Sequence, residues 1–287
     1  MAAMLLDGKR LAEKLYQNMT LEIADLTHQF RAPGLAVIQV GSNLASQIYV
    51  SRKTSACKQV GIRTFDCHLP ENTSKEQLID TIEYYNELSE ADGILLQLPL
   101  PNKLDPLLFT SLIAPKKDVD GLCPQNVGLL QLGVPRFIPC TPLGIMHMLR
   151  SYNIQAKGMH AVVIGRSSLV GKPMAACLLQ AGATVTVCHS ETKQLESYVR
   201  SADLLVAAIG KPLFVKGSWL KPGCVVVDVG ISRLSDGTVV GDVDFKEAKE
   251  IAQAISPVPG GVGPLTVAML LRNTLDAAQS AHKLACL

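Results

Sequence analysis

The stretch from His160 to Ser190 reads HAVVIGRSSLVGKPMAACLLQAGATVTVCHS. His160–Ile164 is a short apolar run of the kind that forms a strand buried on both faces. Gly165 punctuates it, and Gly171 stands at the mouth of a helix running through Ala175, Leu178 and Leu179. Gly182 closes that helix, and Thr184–Cys188 is a second β-branched run. Strand, glycine loop, helix and strand within about 30 residues make a parallel βαβ unit. Such a unit aims backbone N–H groups and a positive helix end at a phosphate. The loop Gly165-Arg166-Ser167-Ser168-Leu169-Val170-Gly171 keeps only the first and last glycines of the usual dinucleotide fingerprint, the last one residue late. It therefore also reads as a plain strand-to-helix turn. Arg166 and Ser167 put a fixed cation and a hydroxyl where a phosphate would lie. The second strand ends in His189-Ser190 rather than in the acidic residue that holds an NAD ribose, which favours NADP. Glu191, one position on, runs against that preference.

Working outward, 287 residues suggest two domains, and 48% hydrophobic against 18% charged residues supply ample core. A net charge of +2 argues against a nucleic-acid surface. Eight cysteines without C-x-x-C or metal spacing read as reduced core thiols. The six histidines form no H-x-x-x-H or H-E-x-x-H pattern, so no metal site is expected. The opening MAAMLLDGKR is too short for a secretion signal, and no run reaches the ~18 apolar residues of a membrane span. A soluble cytoplasmic protein is the expectation.

Upstream, Asp7 can cap a helix with apolar positions Leu11, Leu15, Met19, Ile23 and Leu26. Leu35–Val40 reads as a buried strand, followed by a Gly41-Ser42-Asn43 turn and a helix to about Val60. On that helix Ser46, Tyr49 and Lys53 share a face. A lysine there also reads as a solvated charge and a tyrosine as packing, but strand ends in open α/β sheets are where ligands bind. Ile62–Leu69 is a strand, and Ser74-x-x-Gln77 a capping box. Gly93–Leu98 is a third strand running into Gln97-Leu98-Pro99-Leu100-Pro101, where an X-Pro bond is a candidate for cis. Gln97, the one polar residue of that run, either satisfies backbone or faces a ligand. Lys116-Lys117-Asp118-Val119-Asp120-Gly121 reads as a charged surface turn.

Pro139-Cys140-Thr141-Pro142 marks a boundary, with Thr141 capping a helix through Met148. Downstream come a helix near Leu195–Val199, strands Asp203–Ala208 and Val225–Val229, a hairpin at Ser235-Asp236-Gly237 and a helix Phe245–Ala252. Asp228-Val229-Gly230-Ile231 sets a backbone edge where a nicotinamide would lie. Ser256–Pro264, with three prolines and three glycines, reads as a rigid loop before a helix from Leu265 to about Ala281. The fold expected is α/β: two α/β domains flanking a cleft, the second a Rossmann-type parallel-sheet NADP-binding domain. Residues 1–140 plus 268–287 would form the first and 141–267 the second.

Tyr49-Val50-Ser51-Arg52-Lys53, Gln97-Leu98-Pro99-Leu100-Pro101, Lys117-Asp118-Val119-Asp120-Gly121, Gly165-Arg166-Ser167 with Val170-Gly171, and Pro257 through Thr266 occur in this order along the chain. Together they resemble the bifunctional methylenetetrahydrofolate dehydrogenase/methenyltetrahydrofolate cyclohydrolase family, over essentially the whole length. The segment PVPGGVGPLT is the most specific. The resemblance implies oxidation of 5,10-methylenetetrahydrofolate with NADP⁺, then hydrolysis of the methenyl product to 10-formyltetrahydrofolate. It implies Lys53 as proton carrier, Gln97 orienting it, Tyr49 stacking on the pterin and Asp120 binding the pterin's amino-pyrimidine edge. Leu98, Pro99, Pro259, Gly260, Gly263, Pro264 and Thr266 would line the folate side, with Ser46 in support. Gly165 and Gly171 would bind the cofactor in the loop, Arg166, Ser167 and Ser190 would take the NADP phosphates, the 2′-phosphate included, and Thr141 and Ile231 would flank the nicotinamide half. A homodimer and a part in purine biosynthesis are further implications. The alternatives are a monofunctional dehydrogenase, a shikimate-type NADP dehydrogenase and a catalytically silent NADP-binding sensor, which would have no use for a proton carrier.

Overall fold

A computed structural model describes residues 3–42, 44–101 and 104–285, the side chains of 44–49, 284 and 285 excepted. Strand β1 (Met4–Leu5) precedes helix α1 (Gly8–Gln29), whose first turn is capped by Asp7 Oδ1 accepting from Arg10 N at 2.9 Å. Met19, Ile23 and Leu26 on the apolar stripe of α1 are buried. Strand β2 (Gly34–Val40) is buried along its whole length and is followed by α2 (Leu44–Val60). Strands β3 (Arg63–Leu69) and, after helix α3 (Lys75–Glu87), β4 (Gly93–Leu96) flank it in a parallel sheet ordered β3-β2-β4. A strand with partners on both edges and helices on its faces has no polar side, which is why β2 is apolar apart from Gln39. The Ser74/Gln77 capping box is present at the start of α3. Helices α4 (Pro106–Leu112) and α5 (Pro124–Gln131), unannounced by periodicity, both start on a proline in the first turn, where a missing N–H costs nothing.

Helix α6 (Cys140–Ser151) leads to β5 (His160–Ile164), α7 (Gly171–Gln180), β6 (Thr184–Cys188), α8 (Leu195–Ser201), β7 (Leu204–Ala207) and β8 (Val225–Asp228). The antiparallel hairpin β9 (Ser232–Arg233) and β10 (Val239–Val240), helix α9 (Phe245–Ala248), strand β11 (Ala254–Ile255) and helix α10 (Val262–Ala285) complete the chain. The second sheet is ordered β1-β11-β8-β7-β5-β6 and is parallel throughout. The chain steps from β5 outward to β6, then returns to β7 on the other side of β5. That reversal opens a crevice at the carboxyl ends of β5 and β7. Val162, Leu205, Val226 and Ile255 fill the core on one face of this sheet.

The chain divides into two compact units, Met1–Ala12 with Thr141–Thr266, and Glu13–Cys140 with Val267–Leu287. This differs from the division read in the sequence chiefly at the start. Met4 and Leu5 pair in parallel with Ala254 and Ile255, so the chain opens as the edge strand of the second sheet. Three further expectations are corrected. Helix α6 begins at Cys140, so Thr141 lies inside its first turn and does not cap it. Helix α10 begins at Val262, taking Gly263 and Pro264 out of the expected loop; a proline so near the start removes no intrahelical bond. Helix α9 stops at Ala248, short of Ala252.

Candidate functional site

In the unit holding β2 and β4, one contact organises the polar residues. Lys53 Nζ donates to Gln97 Oε1 at 2.9 Å, and Gln97 Nε2 donates to the Leu98 carbonyl at 2.6 Å. The amide is thus oriented: one end tied to backbone, the oxygen presented to the amine. Lys53 reaches it from the third turn of α2, and Gln97 directly follows β4, its own N–H bonded to Ile38 O at 2.8 Å. Leu98–Pro99 is cis, as is Val258–Pro259.

Asp120 stands in the charge field of this amine. Burial holds Lys53 below the ordinary lysine range, with Asp120 partly offsetting that effect. The Asp120 carboxyl is pushed up by burial and drawn back by Lys53 and by Cys140 beside it. The Cys140 thiol, raised well above the usual thiol range by burial, donates to the Val119 carbonyl at 3.5 Å. Asn273 Nδ2 donates to Val119 O at 2.8 Å and to Ile138 O at 3.2 Å, pinning the backbone just before Asp120 and just before Cys140. Neither Cys140 nor Asn273 was singled out from the sequence for this place, and no spacing announces them, since their partners are far along the chain.

The stretch before Asp120 is not the surface turn that its charges suggested. Lys117 Nζ donates to the carbonyls of Tyr85 (3.0 Å) and Leu88 (2.8 Å), satisfying the carboxyl end of α3. Asp118 is buried and accepts from Leu122 N, Cys123 N and Asn126 Nδ2 at 2.8–3.1 Å. Three donors hold the carboxylate, so the turn presenting Asp120 is rigid. The side chains of Ser46 and Tyr49 lie outside the described residues.

The other unit holds the glycine loop. Gly165 has φ +121°, and a Cβ on it would lie 2.2 Å from the Ala208 carbonyl; a Cβ on Gly171 would lie 2.0 Å from Gly165 O. Here glycine is required, because backbone passes against backbone where helix α7 meets the sheet. Ser167 Oγ accepts from the N–H groups of Val170 (3.2 Å) and Gly171 (3.4 Å). A cleft of about 300 Å³ at the crevice is lined by Gly165, Arg166, Ser167, His189, Ser190 and, as apolar walls, Ile164, Leu195, Ile209 and Phe214. Apolar walls for a base, with hydroxyls and a guanidinium beside them, match the chemistry of a phosphorylated nucleotide.

Beyond the crevice, buried Asp228 accepts from Gly230 N, Asp242 N and Val243 N at 2.9–3.0 Å, fixing the loop that carries exposed Ile231. Asp242 Oδ2 in turn accepts from Ile209 N (2.7 Å) and Gly210 N (3.1 Å). Thr141 and Thr266 hydroxyls lie 2.9 Å apart. Pro259 and Gly260 lie between β11 and α10, and Gly263, Pro264 and Thr266 in the first two turns of α10, so these five residues belong to the same unit as the glycine loop. Among the described residues no group of three or more His, Cys, Asp or Glu side chains is placed to hold a metal ion, and no helix is long and apolar enough to cross a membrane.

Residues 6–120 match the catalytic-domain model of the tetrahydrofolate dehydrogenase/cyclohydrolase family, and residues 139–282 its NAD(P)-binding-domain model. The chain belongs to the tetrahydrofolate dehydrogenase/cyclohydrolase family. The bifunctional protein FolD of Acetivibrio thermocellus is 48% identical over 99% of this chain and 100% of its own length. The crystal structure of the FolD dehydrogenase/cyclohydrolase of Campylobacter jejuni superposes with a TM-score of 0.96 at 47% identity, covering 97% of this chain and 99% of that one. That of Trypanosoma brucei, complexed with NADP cofactor and inhibitor, does so with a TM-score of 0.94 at 39% identity, covering 98% of each chain. Membership of the tetrahydrofolate dehydrogenase/cyclohydrolase family accounts for the two-unit α/β architecture with its six-stranded parallel sheet.

Proposed function

We propose that this chain oxidises 5,10-methylenetetrahydrofolate to the 5,10-methenyl form with NADP⁺ and hydrolyses that product to 10-formyltetrahydrofolate. The observation that carries this reading is the amine of Lys53, held at 2.9 Å by an oriented amide, in a chain of this family.

NADP⁺, when bound, supplies the hydride acceptor. The oxidation needs no strong base from the protein, because loss of hydride from the methylene carbon leaves a cation shared between two nitrogens. Positioning is the protein's task in that step. Asp120 and Tyr49 are assigned to the pterin, and Leu98, Pro99, Pro259, Gly260, Gly263, Pro264 and Thr266 to the folate walls. Arg166, Ser167 and Ser190 are assigned to the dinucleotide phosphates, the 2′-phosphate included, Gly165 and Gly171 to the loop beside them, and Thr141 and Ile231 to the nicotinamide half.

Hydrolysis does need a proton carrier. Neutral Lys53 takes a proton from water as its oxygen bonds the methenyl carbon, and gives it to the ring nitrogen as the carbon–nitrogen bond opens; the proton left on the carbinol oxygen goes to solvent as the formyl C=O forms. Burial favours the neutral amine, and a cationic substrate at contact distance favours it further. Gln97 keeps the lone pair aimed and Asp120 moderates the amine's basicity. The same likeness supports a cytoplasmic homodimer whose formyl product serves purine biosynthesis.

A coupled assay tests this. Purified protein with methylenetetrahydrofolate and NADP⁺ is expected to form NADPH and then to speed the decay of methenyl absorbance over the uncatalysed rate. NADPH without faster decay would reduce the activity to the dehydrogenase; no NADPH would remove the reading.

A further inference from the structure

The turn after β6 sets an acidic side chain against the cation of the nucleotide cleft. Arg166 Nη2 lies 2.5 Å from Glu191 Oε1, with the two side chains 50% and 72% exposed. The pair is not a loose surface encounter, because the turn is braced. His189 N donates to Thr192 Oγ1 at 2.9 Å, Thr192 N to His189 O at 2.9 Å, and Glu191 N to His189 Nδ1 at 3.3 Å. Those bonds fix the backbone from which the Glu191 carboxylate reaches the guanidinium that lines the cleft.

We propose that Glu191 is a specificity-determining residue: its carboxylate occupies Arg166 and opposes a ribose 2′-phosphate there, so that NADP is separated from NAD less sharply than Arg166 and Ser190 alone would achieve. The proposal rests on the reading of Arg166 and Ser190 as the 2′-phosphate site. Two effects act only on a ligand carrying that phosphate. It must break an ion pair to reach the guanidinium, and it then lies beside a like charge. A ligand with a free 2′-hydroxyl meets neither, and its hydroxyl can donate to the same carboxylate, as the ribose does to the acidic residue of NAD sites.

Calorimetric titration of the full chain with 2′,5′-ADP and with 5′-ADP tests this without turnover. Glu191→Gln is expected to lower the Kd for 2′,5′-ADP about fivefold while 5′-ADP changes less than about twofold. An unchanged Kd for 2′,5′-ADP in that variant, or equal tightening of both probes, overturns the proposal. Arg166→Gln separates it from the reading beneath it. If that variant binds 2′,5′-ADP as the wild type does, the 2′-phosphate site and the proposal fall together. If it binds at least about tenfold more weakly while Glu191→Gln is inert, only the role of Glu191 falls.

Discussion

At Lys53 two influences oppose each other. Desolvation lowers the ammonium's pKa, and the negative field of Asp120 raises it, with desolvation the larger. The neutral amine is the form that accepts a proton, so hydrolysis should rise with pH as the ammonium deprotonates, and level off above its pKa. The midpoint of that rise is expected below the ordinary lysine value of 10.5, read as kcat for methenyl hydrolysis against pH. Asp120→Asn removes the influence that raises the pKa, so the midpoint of its residual activity should move to lower pH. A hydrolysis rate that falls as pH rises through this range would reverse the assignment of Lys53 as base. Much of this was legible in the residues: Lys53, Gln97 and Asp120 all stood in segments with a family likeness, and Gln97 stood out as a polar residue ending an apolar run. The role of Lys117 was not legible, because a lysine buried to satisfy the end of α3 has the same local sequence as one in solvent.

At the scale of elements, glycine-to-alanine changes in two helices should have opposite signs. Gly171 opens α7, and a Cβ there would run into Gly165 O at 2.0 Å and Arg166 Cα at 2.9 Å. Backbone would have to move, so Gly171→Ala is expected to destabilise by about 2 kcal/mol or more and to weaken dinucleotide binding. Gly128 lies inside α5, and a methyl group added there would meet nothing within 4 Å, so Gly128→Ala should stabilise by about 0.5–1 kcal/mol through helix propensity. Denaturant titration of both variants reads the two signs directly. Elements were legible where hydrophobic runs were long enough to carry a period. Strands β5 and β6 begin and end on the expected residues, and β2 differs by one. The two-residue strands β1 and β11 left no signal, since two residues cannot show alternation. The start of α10 was missed because Gly263 and Pro264 read as loop, although a first turn tolerates both.

Over the whole molecule, residues distant in sequence are joined by a few buried polar contacts. The amide of Asn273 reaches carbonyls 154 and 135 residues away, at Val119 and Ile138. Asn273→Ala leaves both without that donor and is expected to cost about 2 kcal/mol, lowering Tm by roughly 4–8 °C in a unit of this size. Thermal unfolding measures it, and an unchanged Tm would mean that other donors replace the amide. Contacts at such separations follow only from the completed fold, which is why nothing in the sequence around Asn273 points to its role. The chemistry assigned to the chain is divided in the same way: the proton carrier belongs to the unit of β2 and β4, and the dinucleotide residues to the unit of the six-stranded sheet. The most direct test is methenyltetrahydrofolate hydrolysis by Lys53→Gln, with folate binding measured on the same preparation. Loss of hydrolysis by about 100-fold or more, with folate affinity changed only several-fold, is the predicted result; hydrolysis at the wild-type rate would contradict it.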